Sequence, residues 1–189
     1  MQHVIAPQQQ AKLILFEINN LLKTHHLELK DLDGLAFGCG PGSFTGVRIA
    51  ATVVQSLSYA TRVPIIRISS LAAMAQTAYE EKGWRRILVA VDARMGQVYW
   101  GAYELGEEGL MVGHERVLKP ELVSTPEGEW YGVGDGWPLL SNKVSLIDKD
   151  LELLPKASGL LSLAKNKFEH GQFVAVHEAL PEYFDGFFK

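Results

Sequence analysis

The run Phe37-Gly-Cys-Gly-Pro-Gly-Ser-Phe-Thr-Gly-Val-Arg-Ile49 decides how the rest of the chain is read. Just before and into it, Gly34 to Gly38 encloses Leu35, Ala36 and Phe37, the pattern of a short buried strand. A helix from about Phe44 to Ala60 follows. A strand, a glycine-rich turn and a helix N-terminus in that order present backbone N–H groups and a positive dipole end, which suits a phosphate. Gly40, Gly42 and Ser43 are therefore the candidate phosphate-side residues. The mechanistic fingerprints fail, however. A P-loop needs Gly-Lys-Ser/Thr, whereas Gly46 is followed by Val47 and Arg48. G-x-G-x-x-G fails at Thr45, and G-x-S-x-G fails because Ser43 directly follows Gly42. The glycines serve equally well for a tight turn and close helix–strand packing.

Outward from this run, Ala11 to Lys23 carries Ile14, Leu15, Ile18, Leu21 and Leu22 at helical spacing, and Leu13 and Phe16 widen the arc beyond one core face. Two readings stand: a helix pressed between two layers of its own domain, or one stripe facing the core and another facing a partner. The Phe44–Ala60 helix has Arg48 as its only charge and is apolar nearly all round, so it needs cover on every side. Pro64–Ile68 reads as a strand. Ser70 to about Glu81 reads as a helix with Ser69 or Ser70 as N-cap. Ile87–Asp92 and Gln97–Tyr103 read as a hairpin turning at Met95-Gly96, with one face buried. Short strands around Arg116–Leu118 and Trp130–Val133 and a helix over Ala157–His170 complete the pattern. The alternation predicts an α/β layered fold in two lobes, residues 1–84 and 85–189.

Of 189 residues, 47% are hydrophobic and 21% charged, a globular composition that can bury roughly 70% of its unfolded surface. Eighteen Lys and Arg against 22 Asp and Glu give a net charge of −4, which argues against a surface built to grip nucleic acid. One cysteine, Cys39, excludes an internal disulfide and suits a reducing compartment. No leader or membrane-crossing run is visible, so a cytoplasmic location with no membrane contact is expected. No two of the six histidines stand at i, i+4, and no nucleophile–base–orienter set emerges. Asp92, ending a strand before Arg94, reads as a turn cap or ion pair. Neither a catalytic nor a metal site is expected.

Phe37–Ile49, together with Ser69-Ser-Leu-Ala-Ala-Met-Ala75 and Asp92-Ala-Arg-Met-Gly-Gln-Val-Tyr-Trp100, resembles the TsaB (YeaZ) family, and weaker likeness runs on to Pro181-Glu-Tyr183. The resemblance implies an actin-like, Hsp70-like ATPase (ASKHA) fold. It further implies a non-catalytic scaffold in the bacterial addition of threonylcarbamoyl to adenosine 37 of tRNA (t6A), paired with the catalytic paralogue TsaD and supported by the ATPase TsaE. A homodimer when alone is also implied, with tRNA met only through the complex. The paralogue's metal-binding H-x-x-x-H falls here on Ser70 and Met74, which cannot replace two imidazoles. The first two helices form the family's dimer contact. The expected interface residues, chosen from excess apolar surface, are Phe16, Ile18, Leu22, Val47, Ala50, Val54 and Leu57. Val54→Arg is expected to break pairing and leave the lone fold largely intact. Any ATP or ADP at the junction is expected to be held mainly by the partner. The family's opening β-hairpin has no counterpart at Met1-Gln-His, which predicts unpaired sheet edges, and the end Phe184–Lys189 departs from the family's basic tail. A glycoprotease-like metallopeptidase and a stand-alone nucleotide-binding module are the alternatives.

Overall fold

The computed structural model describes residues 9–140 and 144–184. The expectations about an opening hairpin and a divergent end bear on residues outside these. Two sheets organise the described residues. In the first, β1 (Leu35–Gly40) and β2 (Ile65–Ser69) run parallel, with Leu35 opposite Ile65, joined by helix α2 (Phe44–Thr61). Alternation along these strands sorts their side chains. Phe37, Cys39 and Ile65 pack with Ala51 and Val54 of α2 and with Ala179 near the chain's end. Ile66 and Ile68 point the other way, onto Ala164 of α4 (Ala157–Glu169). Helix α1 (Gln10–Thr24) lies against α2.

The second sheet runs β5-β4-β3-β6-β7: β3 (Arg86–Arg94), β4 (Gln97–Leu105) and β5 (Met111–Leu118) are antiparallel, while β6 (Tyr131–Val133) and β7 (Lys149–Asp150) continue in parallel. The β3–β4 turn is Met95-Gly96, both residues at positive φ, as a two-residue hairpin turn demands. Helix α3 (Ser70–Lys82) covers one face, where Leu71, Met74 and Ala78 meet Ile87, Val89 and Tyr103. Leu88, Val98, Trp100, Trp130 and Trp137 fill the other. Each fully buried Leu or Ile contributes about 1.5–3 kcal/mol. The hairpin is thus buried on both faces, not one: Tyr103 is as enclosed as Trp100 because α3 lies over it.

No residue of α1 is buried, so of its two readings the one that presses it between layers of its own domain fails. Within the chain α2 buries only Ala51, Val54 and Ser58, which leaves the rest of its apolar surface uncovered by the chain itself. Packing crosses the expected boundary between residues 84 and 85. Helix α3 belongs to the second sheet's core, and α4 returns to the first sheet, its Gly159 so close to α3 that a Cβ there would stand 2.8 Å from the Ala73 carbonyl oxygen. The reason is economy of cover: the two-stranded sheet has two apolar faces, and α2 can screen only one of them.

Candidate functional site

The glycine-rich turn opens onto a cleft of about 1120 Å³ between the two sheets. Its walls are Gly40–Phe44 with Val47 and Arg48, the β3–β4 strands at Val91–Arg94 and Tyr99, Asp135, and the segment Glu182–Phe184. The sequence builds each wall locally. Ser43 is the N-cap of α2, its hydroxyl accepting from the Gly46 amide at 3.4 Å. Asp92 Oδ1 accepts from the Arg94 amide at 2.7 Å and its Oδ2 pairs with the Arg94 guanidinium at 2.9 Å, so it is both turn cap and ion pair. Asp135 Oδ1 accepts from the Asp92 amide at 3.1 Å. The turn carrying Asp135 lies flat on β3: a Cβ at Gly134 would stand 2.4 Å from the Ala90 carbonyl oxygen, at a φ of +100°. The Arg48 guanidinium stacks 3.4 Å from the Phe44 ring centroid, and its Nε donates to the Tyr183 hydroxyl at 3.0 Å.

Beside this cleft lies a buried polar group that joins the two sheets. The Tyr103 hydroxyl donates to Glu115 Oε1 at 2.5 Å. Burial holds the Glu115 carboxyl above its usual range, against hydrogen bonds from Ser69 and Tyr103. Burial first, and then Glu115, push the Tyr103 phenol well up. Cys39 donates its thiol proton to Glu182 Oε2 at 3.4 Å; burial, with the Glu182 charge adding to it, pushes the thiol up to about 12. Such a thiol is inert as a nucleophile.

Of the candidate phosphate-side residues, Gly40, Gly42 and Ser43 all line the cleft. The groups around them do not fit a nucleotide phosphate. The Ser43 hydroxyl is engaged as the cap, and the carboxylates of Asp92, Asp135 and Glu182 face the opening against two guanidinium groups, one already paired. Ser70 begins α3 and Met74 is packed in the core. Among the described residues no cluster of three His, Cys, Asp or Glu stands in metal-binding geometry, and no helix is long and apolar enough to cross a membrane.

The expected interface residues divide. Phe16 is 59% exposed, and Ile18, Leu22, Val47, Ala50 and Leu57 are half-buried on α1 and α2. Val54 is corrected: it lies in the core with Phe37 and Ile65, so Val54→Arg attacks the fold itself. Sequence reasoning missed Arg48, Tyr183 and Phe184 as cleft residues, and the Tyr103–Glu115 pair. The one local signal was Arg48, the lone charge of an apolar helix.

Comparison with known proteins fits this geometry. The family described as TsaD, tRNA N6-adenosine threonylcarbamoyltransferase, matches residues 4–131. The chain is 42% identical to the tRNA threonylcarbamoyladenosine biosynthesis protein TsaB of Escherichia coli strain K12, over 95% of this chain and 82% of that protein. It is 34% identical to the TsaB of Haemophilus influenzae, over 95% and 81%. The solved YeaZ structure from Pseudomonas aeruginosa superposes with a TM-score of 0.92 at 41% identity, covering 97% of this chain and 88% of that one. That likeness bears out the expected ASKHA-type fold. With relatives at 34–42% identity along nearly its whole length and a YeaZ structure superposing on nearly all of it, the chain belongs to the TsaB (YeaZ) family.

Proposed function

We propose that this chain works in t6A biosynthesis on tRNA as a non-catalytic subunit, pairing through α1 and α2 with the catalytic paralogue TsaD and served by the ATPase TsaE. The family's names support the pathway. The observation that carries the pairing is α1: Leu15, Phe16 and Leu21 stand 36–59% exposed on a helix with no buried residue. Exposed large apolar side chains grouped on one helix fit a protein contact. The non-catalytic reading rests on side-chain chemistry, since the hydroxyl of Ser70 and the thioether of Met74 replace two metal-binding imidazoles. Any ATP or ADP at the junction would be held mainly by the partner's residues, because the carboxylates of this cleft repel phosphate. Alone, the chain would use the same face for a homodimer, and tRNA would be met through the complex, as the net charge of −4 favours.

Light-scattering mass after size exclusion tests this, on the chain alone and mixed with the TsaD paralogue of the same organism. A one-to-one complex on mixing is expected. Absence of any complex from a chain shown to be folded overturns the reading.

A further inference from the structure

Past α4 the chain doubles back, and residues 182–184 line the cleft. Val174 bridges Ile65 on β2, Ala179 is fully buried against the α2 side of the first sheet, and Pro181–Phe184 then runs beside the end of β1. Three consecutive residues make three different contacts. The Glu182 amide donates to the Cys39 carbonyl at 2.8 Å, as an added strand would, while its carboxylate accepts from the Cys39 thiol. The Tyr183 hydroxyl accepts from Arg48 Nε. The Phe184 ring lies 5.8 Å from the Tyr99 ring, tilted by 47°. The segment nevertheless rests on the groove and is not sunk into it: Tyr183 remains 58% exposed and Glu182 is exposed as well. Few buried contacts and exposed backbone hydrogen bonds are the marks of a segment that opens locally, well below the free energy of global unfolding.

We propose that the wall of this cleft along the end of β1 is a strand-addition site for an extended peptide, held here by the chain's own Glu182–Phe184, and that an acidic–aromatic peptide is the class of ligand able to replace that segment. The mode is strand addition: one main-chain bond to β1 supplies direction, and Cys39, Arg48 and Tyr99 read an acid, a phenol and a ring in order. The mixed lining supports this assignment, because Phe44, Val47 and Tyr99 offer apolar contact and the Arg48 guanidinium faces the position that Glu182 and Tyr183 occupy. The tethered segment acts at an effective concentration of roughly millimolar order, so a free peptide competes only once the segment is loosened.

Cys39 is the reporter. It is the chain's only cysteine, 2% exposed, and it lies under Glu182. Opening the groove uncovers the Glu182 side of Cys39 to reagent and removes the negative charge that adds to burial in suppressing its thiolate. In the full chain carrying Tyr183→Ala and Phe184→Ala, iodoacetamide is expected to alkylate Cys39 roughly tenfold faster at an unchanged melting temperature. A millimolar peptide of the sequence Leu180–Phe184 is expected to restore the slow rate, and the same peptide with alanine for its two aromatic residues is not. An unchanged alkylation rate overturns the proposal. So does faster alkylation accompanied by a matching fall in melting temperature, which is labelling through global unfolding, or fast alkylation that the aromatic peptide fails to slow. None of these readouts depends on pairing with the TsaD paralogue.

Discussion

Helices α1 and α3 have similar lengths, 15 and 13 residues, and opposite surroundings. Seven residues of α3 are buried, the polar Gln76 and Thr77 among them, and none of α1 is. Yet α1 carries the larger apolar side chains. Small residues explain α3: with Ala72, Ala73, Ala75 and Ala78 it fits beneath β3 and β4 and lets α4 cross so closely that Gly159 is required at the contact. Buried polar atoms are satisfied inside. The Gln76 carbonyl accepts from the Met111 amide at 2.8 Å, and the Thr77 hydroxyl donates to Ala73 and accepts from Lys156. The lesson is that hydrophobicity alone does not tell how deeply a helix sits in its own chain. A surplus of large apolar groups with no internal cover is surface prepared for something else.

Substitutions can break that contrast or sharpen it. The largest effect is expected at Val54, the α2 position turned inward. Val54→Arg buries a charge with no partner and costs about 4 kcal/mol or more, read as loss of the cooperative thermal transition or of soluble protein. A folded, soluble V54R that merely failed to pair would restore Val54 to the outer face. Next comes Thr77→Val, which keeps the shape of the side chain but leaves the Lys156 amide, 3.1 Å from Thr77 Oγ1, without its partner. A loss of about 1–3 kcal/mol is expected in urea unfolding.

Glu115→Gln has an effect that depends on pH. Because burial raises the folded carboxyl above its unfolded value, the folded state holds the proton longer. The stability attached to that proton is therefore fully present below the ordinary glutamate range and is lost as pH rises through the folded value. The glutamine keeps an acceptor for Tyr103 without the buried charge. Urea midpoints are expected to favour the variant increasingly from acid to neutral pH, and parallel midpoint curves would refute the raised carboxyl. The smallest stability change, within about 0.5 kcal/mol, is expected for Phe16→Asp on α1, whose complex with the paralogue should nevertheless disappear on size exclusion. Loss of stability at Phe16 equal to that at Thr77 would erase the distinction between the two helices.

Much of the fold was legible because its signals are local. The 3.6-residue spacing of Ile14, Ile18, Leu21 and Leu22 marks α1, and the strands around Phe37 and Val89 announce themselves as short apolar runs. Met95-Gly96 marks the hairpin turn, and Ser69 caps α3 through the Leu71 and Ala72 amides as its position promised. Part of the site was legible for the same reason. The glycine turn lines the cleft, and Asp92 caps its turn, since both depend on neighbours within a few residues.

What the sequence by itself determined is therefore the order and kind of the elements, the family, and the side chains standing at Ser70 and Met74. Only the tertiary structure decided that Val54 faces inward, that α3 lies over the second sheet, that α4 screens the first, and that Glu182 reaches Cys39 from 143 residues away. The physical reason is range. Helix and strand periodicities follow from hydrogen bonds between near neighbours, which any short window records. Which apolar face meets which is settled by the competition of all faces for cover, and no single segment carries that outcome.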